Sequence, residues 1–155
     1  MRPLSDIWHA PVEVALVCAT VFIHAAVMLL GLRFARRWLN EHESDAKFFA
    51  QTFFLFQFLI IVMAAHVAEM LAWRLSIYAL GAVPSISTAI YFAIETYTTL
   101  GYGDVLLPLD WRLMSGLLAT TGLLMFAWST AIFATILNRL YLSHLDTPGA
   151  SPHLP

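Results

Sequence analysis

The chain has 155 residues, 60 % of them hydrophobic and only 12 % charged, with eight basic against ten acidic side chains and a formal net charge of -2. A soluble domain carries about 25 % charged residues, so this chain has too little charge to coat a water-exposed surface, which excludes a soluble enzyme. The near-balance of charge, without a basic stripe, excludes a nucleic-acid binder, and the single Cys18 forms no internal disulfide.

A helix that crosses a bilayer needs roughly 20 apolar residues. Residues 12–32 supply the first such stretch, with Glu13 at its edge and Arg33, Arg36 and Arg37 closing it. It is too long for an ordinary signal peptide, has only Arg2 ahead of it and lacks a small-residue cleavage site, so it reads as a retained span. The loop at 33–47 then holds four of the eight basic residues. By the positive-inside rule this loop is cytoplasmic, the N-terminus is outside and the C-terminus is inside. A second stretch at 48–73 opens after Lys47 and carries Gln51, Gln57, His66 and Glu69.

Between Arg74 and Asp110 the pattern changes. Gly81 and Pro84 break the chain, and Ser85 or Ser87 is placed to cap a new helix. The helical segment 86–98 is too short to cross a bilayer, and Thr98-Thr99-Leu100-Gly101-Tyr102-Gly103-Asp104 follows at once. A short helix returning as irregular backbone is a re-entrant loop, which survives at membrane depth only where protein or a water-filled cavity satisfies its polar groups. A third span covers 113–137, bracketed by Arg112 and Arg139, and the proline-containing residues 146–155 read as a disordered tail. The fold class is therefore an all-α membrane protein of three transmembrane helices, with a re-entrant helix and loop between the second and third. The chain divides into 1–47 (an extra helix and basic loop), 48–142 (the second span, the re-entrant segment and the third span) and 143–155 (a cytoplasmic tail).

The run Glu95-Thr96-Tyr97-Thr98-Thr99-Leu100-Gly101-Tyr102-Gly103-Asp104 resembles the pore-loop signature of the potassium channel family, in its small prokaryotic-type form with one pore loop per chain. The Thr-Val-Gly-Tyr-Gly filter of that family is the standard example of selectivity built from backbone carbonyls. The residues support the likeness on physical grounds. A dehydrated cation needs oxygens in place of lost water, and Gly101 and Gly103 supply the backbone freedom to aim successive carbonyls at one axis. The resemblance implies an ion-coordinating filter of Thr99, Leu100, Gly101, Tyr102 and Gly103, supported by Thr98, Tyr91, Glu95 and Asp104. It implies that Tyr102 packs behind the filter and that Glu95 shares a proton with Asp104. Leu100 stands where valine is commonest in the family.

One loop forms one wall, so four copies are implied around a symmetry axis, in a lipid bilayer of the cell membrane. The permeant ion is K+, no cofactor is implied, and no bond is made or broken, so the chain is not an enzyme. The alternatives are a weakly selective cation channel, a non-conducting channel subunit and an intramembrane metal-dependent enzyme.

His66 and Glu69 lie i, i+3 on one helix face. A metal site needs more ligands, and only His24 and Glu13 stand elsewhere in the spans, so the pair reads as an anchor between helix and pore loop, or as a pH sensor. Gly122, in the third span, reads either as a gating hinge or as a small residue for close helix packing. Thr120, Thr121, Ser129 and Thr130 either wet a cavity or bond back to their own helix. Trp38, Trp73 and Trp111 read as interfacial anchors.

Overall fold

The computed structural model describes residues 10–41 and 48–145, the side chains of 141–145 excepted. Calls on Arg2, Lys47 and the tail at 146–155 lie outside the described residues. Four helices carry the fold: α1 (Ala10–Glu41), α2 (Phe48–Ala79), α3 (Ile86–Tyr97) and α4 (Arg112–Leu145). Three of them, α1, α2 and α4, are long and apolar enough to cross a membrane.

All three long helices run past the apolar windows expected from sequence. Residues 33–41, expected as the start of a basic loop, continue α1 for more than two further turns. The reason is that hydropathy marks where a helix leaves hydrocarbon, whereas Arg, Leu and Glu remain good helix formers beyond that point. Pro11 sits in the first turn of α1, where its missing N–H costs nothing, and Glu13 lies beside the positive end of the helix dipole.

The break after α2 is a Schellman turn. Gly81, at φ 69, adopts the left-handed conformation, while Gly81 N–H donates to Tyr78 O and Ala82 N–H to Ile77 O. Four residues later Ser85 starts α3, its hydroxyl accepting from Thr88 N–H at 3.1 Å. Of the two serines weighed as caps, Ser85 is the one used. With 12 residues, α3 is about 18 Å long and does not cross a bilayer.

α1 packs along α2 and α4, and α3 wedges between α2 and α4. One apolar core surrounds α3 and includes Trp73, Ile77, Phe92, Tyr97, Met114 and Leu118; a second joins Met28, Phe54, Phe58 and Ile136 toward the other end. Trp73, expected as an interfacial anchor, is instead fully buried, and its indole N–H donates to Thr20 Oγ1 at 2.9 Å. Large apolar side chains such as Phe22, Phe48 and Phe49 point outward, as they do on a surface bathed in lipid.

Candidate functional site

The segment after α3 is organised by its own amides. Thr98 N–H donates to Ile94 O, Thr99 N–H to Thr96 O, and both Leu100 N–H (2.8 Å) and Gly101 N–H (3.2 Å) to Glu95 O. The Thr98 hydroxyl adds a bond to Ile94 O at 2.7 Å. These bonds satisfy carbonyls that the end of a helix otherwise leaves open. The amides of 98–101 therefore turn back toward α3. The carbonyls of Thr99, Leu100, Gly101 and Tyr102 accept no hydrogen bond from any described residue.

Backbone angles complete the picture. Thr99, Gly101 and Gly103 have φ of 59, 55 and 78, while Leu100 and Tyr102 between them do not have positive φ. Reversing the sign of φ at every second residue turns alternate peptide planes over, so that carbonyls which would alternate in a strand project from one side. The two glycines take this conformation without penalty. Thr99 is β-branched, and its positive φ is an outlier of the kind that costs about 1–3 kcal/mol and clusters at functional sites. Sequence reasoning assigned this freedom to the glycines alone and missed Thr99.

Leu100 and Tyr102 are 56 % and 68 % exposed in the single chain. Tyr102, expected to pack behind the loop, is therefore left mostly uncovered by the rest of the chain. The loop is anchored at its far end by Tyr91, whose hydroxyl donates to Asp104 Oδ2 at 2.9 Å, while Asp104 Oδ1 accepts from Val105 N–H. The Asp104 carboxylate holds the Tyr91 phenol proton, pushing its pKa up to about 12. Asp104 is also a side-chain partner of Glu95. Glu95 is buried with one carboxyl oxygen lacking any partner, and burial first, then the nearby Asp104 charge, raises its pKa above the ordinary carboxylate range.

Beneath α3 lies a polar cluster drawn from all four helices. His24 Nδ1 is 2.9 Å from Glu69 Oε1. Tyr97 donates its hydroxyl proton to Glu69 Oε2, and the same hydroxyl is 2.9 Å from His66 Nδ1. Ser129 Oγ lies between the two imidazoles, 3.1 Å from His24 Nε2 and 3.2 Å from His66 Nε2. Phe126 stacks on His66 at 4.2 Å between centroids, and Trp128 lies 5.4 Å from His24. The expected anchor between α2 and the loop region thus exists, but it passes through Tyr97 and includes His24 and Ser129. Neither Tyr97 nor Ser129 carried a sequence signal: one reads as a pore-run aromatic, the other as a helix-bonded hydroxyl. Thr120, Thr121 and Thr130 do bond back to their own helix.

His24, His66 and Glu69 bring three ligand atoms within 4.8 Å of one another, close enough for a divalent ion. Zinc takes four ligands, and each of these atoms already has a hydrogen-bond or ion-pair partner in the cluster.

Gly122 is a packing residue. A Cβ there would sit 2.1 Å from the Tyr97 carbonyl oxygen and 2.9 Å from its carbon. The absent side chain lets α4 meet the last turn of α3, directly ahead of the loop.

Comparison with known proteins finds a family model described as "Ion channel" that matches residues 16–139. No curated protein and no solved structure gives a significant match. The matched region contains most of α1, all of α2 and α3, the carbonyl-presenting loop and nearly all of the apolar span of α4. The chain belongs to the ion channel family of the two-transmembrane-helix type, which includes the pore-loop potassium channels.

Proposed function

We propose that the chain is one subunit of a homotetrameric potassium-selective channel, in which α3 is a re-entrant pore helix and 99–103 is the selectivity filter. The observation that carries this reading is the row of carbonyls from Thr99 to Tyr102, unbonded within the chain and turned to one side by alternating φ. Unpaired backbone carbonyls at membrane depth are costly. Four such rows around an axis give each oxygen a partner, a permeating cation stripped of water. Thr99 adds its hydroxyl at the inner end.

The exposed Leu100 and Tyr102 favour the tetramer, because neighbouring subunits supply the packing that one chain lacks. Potassium permeates passively, and α2 and α4 form the outer and inner helices of a pore module at 48–142. Arg33, Arg36 and Arg139 line one pocket at the same end of the bundle. Clustering of these cations favours that end as cytoplasmic, with the N-terminus and the filter outside.

Reconstitution of the pure chain in liposomes tests the proposal. Potassium flux should greatly exceed sodium flux, and Gly101→Ala should abolish flux while leaving the tetramer intact, since alanine is penalised at φ 55. Equal sodium and potassium flux would mean a weakly selective pore. Undiminished flux in Gly101→Ala would overturn the filter assignment.

A further inference from the structure

The buried cluster beneath α3 is a closed ring. The links run from Glu69 to His24, from His24 to Ser129, from Ser129 to His66, from His66 to Tyr97 and from Tyr97 back to Glu69. Five side chains share five links, and each link requires one hydrogen.

The hydrogens can be assigned in turn. Tyr97 spends its proton on Glu69, so His66 Nδ1 must donate to the Tyr97 oxygen. Ser129 has one proton and lies between two Nε2 atoms, so it donates to one and accepts from the other. The bond between Glu69 and His24 Nδ1 carries the fifth. Five protons correspond to a neutral cluster: a carboxylate with one imidazolium, or a carboxylic acid with two neutral imidazoles. One proton fewer leaves an empty link and a net negative charge. One more puts two hydrogens in a single link and a net positive charge. Water cannot relieve either defect, because all five residues are buried.

We propose that this ring is a proton-counted clasp by which α1 positions the pore helix, with His24 and Ser129 acting as positioning residues through Tyr97. His24 ties in α1, His66 and Glu69 tie in α2, and Ser129 ties in α4. Tyr97 ends α3 two residues before Thr99. The titratable groups facing the ring are its own: His24 from α1, His66 and Glu69 from α2, and Tyr97 from α3. α4 turns Phe126, Trp128 and Ser129 toward it, none of which titrates in this range. The next ionisable groups along the helices are Cys18 six residues before and Arg33 nine residues after His24 on α1, Arg74 five residues after Glu69 on α2, Glu95 two residues before Tyr97 on α3 and Arg139 ten residues after Ser129 on α4.

The proton count sets a pH. In water a glutamate side chain titrates near about 4.3 and an imidazole near about 6.5. The opened groups therefore hold five protons when both histidines are half charged, near about pH 6.5. Below that pH the opened groups hold more protons than the ring, and ring stability rises with pH. Above it they hold fewer, and stability falls. The clasp has a maximum near about pH 6.5.

Thermal unfolding of the full chain in detergent, followed across pH, tests the clasp without reference to conduction. The wild-type midpoint should be highest near about pH 6.5. Ser129→Ala keeps every titratable group but opens the ring, so it should lower the midpoint most at that pH and progressively less on either side. His24→Gln leaves a single histidine, and a neutral cluster then matches the opened groups only where that histidine is charged and Glu69 ionised. Its maximum should move down to roughly pH 5.5. A wild-type midpoint without a maximum, or a Ser129→Ala deficit that is constant with pH, would overturn the proposal. So would a midpoint raised by Zn2+ and restored by chelator, since a cation would then occupy the place of the protons.

The positioning role rests on the filter reading and has its own readout. Potassium flux in liposomes should peak at the same pH as the midpoint, and a flux flat across pH would overturn positional control. Absence of flux at every pH, with the midpoint maximum present, would count against the filter reading and support the clasp alone.

Discussion

Gly122→Ala tests whether α4 meets α3 through a missing side chain or bends at a flexible joint. The added Cβ would start 2.1 Å from the Tyr97 carbonyl oxygen, whereas real Cβ atoms keep at least 3.0 Å from such neighbours. The last turn of α3 must therefore retreat by about 1 Å, and the obstacle is backbone, which does not rotate away as a side chain would. Overpacking of this kind costs about 1–3 kcal/mol, with the upper end expected for a backbone clash. Replacing glycine inside a helix returns up to about 1 kcal/mol, so the net loss is about 2 kcal/mol. The unfolding midpoint of the detergent-solubilised protein should fall by roughly 4–8 °C. Potassium flux should fall with it, because Tyr97 stands two residues before Thr99. Gly116→Ala is the control: nothing lies within 4 Å of its added Cβ, and its midpoint should hold or rise. A flexible joint makes the opposite forecast, impaired opening at unchanged stability. A Gly122→Ala midpoint equal to that of the native chain would refute the packing argument.

Further substitutions separate the remaining contributions. Ser85→Ala removes the hydroxyl that accepts from Thr88 N–H and should cost about 1 kcal/mol in unfolding experiments, as loss of a helix cap does. Thr99→Gly relieves a positive φ while deleting the inner hydroxyl. It should raise the midpoint yet weaken potassium-over-sodium selectivity in liposomes, and unchanged selectivity would remove the hydroxyl from the filter. Glu95 holds its proton more firmly in the folded chain than in water, so its contribution is present at low pH and lost as pH rises through its folded value. Glu95→Gln, which cannot ionise, should therefore match the native midpoint near about pH 4 and exceed it near about pH 8; the reverse order would place a stabilising cation beside Glu95.

Sequence alone determined the class of molecule and the order of its parts. Scarce charge and three long apolar stretches leave no other home than a bilayer. Gly81, Pro84 and Ser85 punctuate the chain by local backbone stereochemistry, which needs no partner to act. The glycines of the 99–103 run are legible for the same reason. What tertiary structure alone decided is which buried groups meet. Ser129, 105 residues from His24 in sequence, has no periodicity or motif that points to an imidazole, and Tyr97 looks like any aromatic at the end of a short helix. Hydrogen bonds between distant side chains are set by how four helices cross, and that crossing depends on small packing choices such as Gly122. The positive φ of Thr99 belongs with these: a β-branched residue adopts it only because the amides of 98–101 are already pinned to the end of α3.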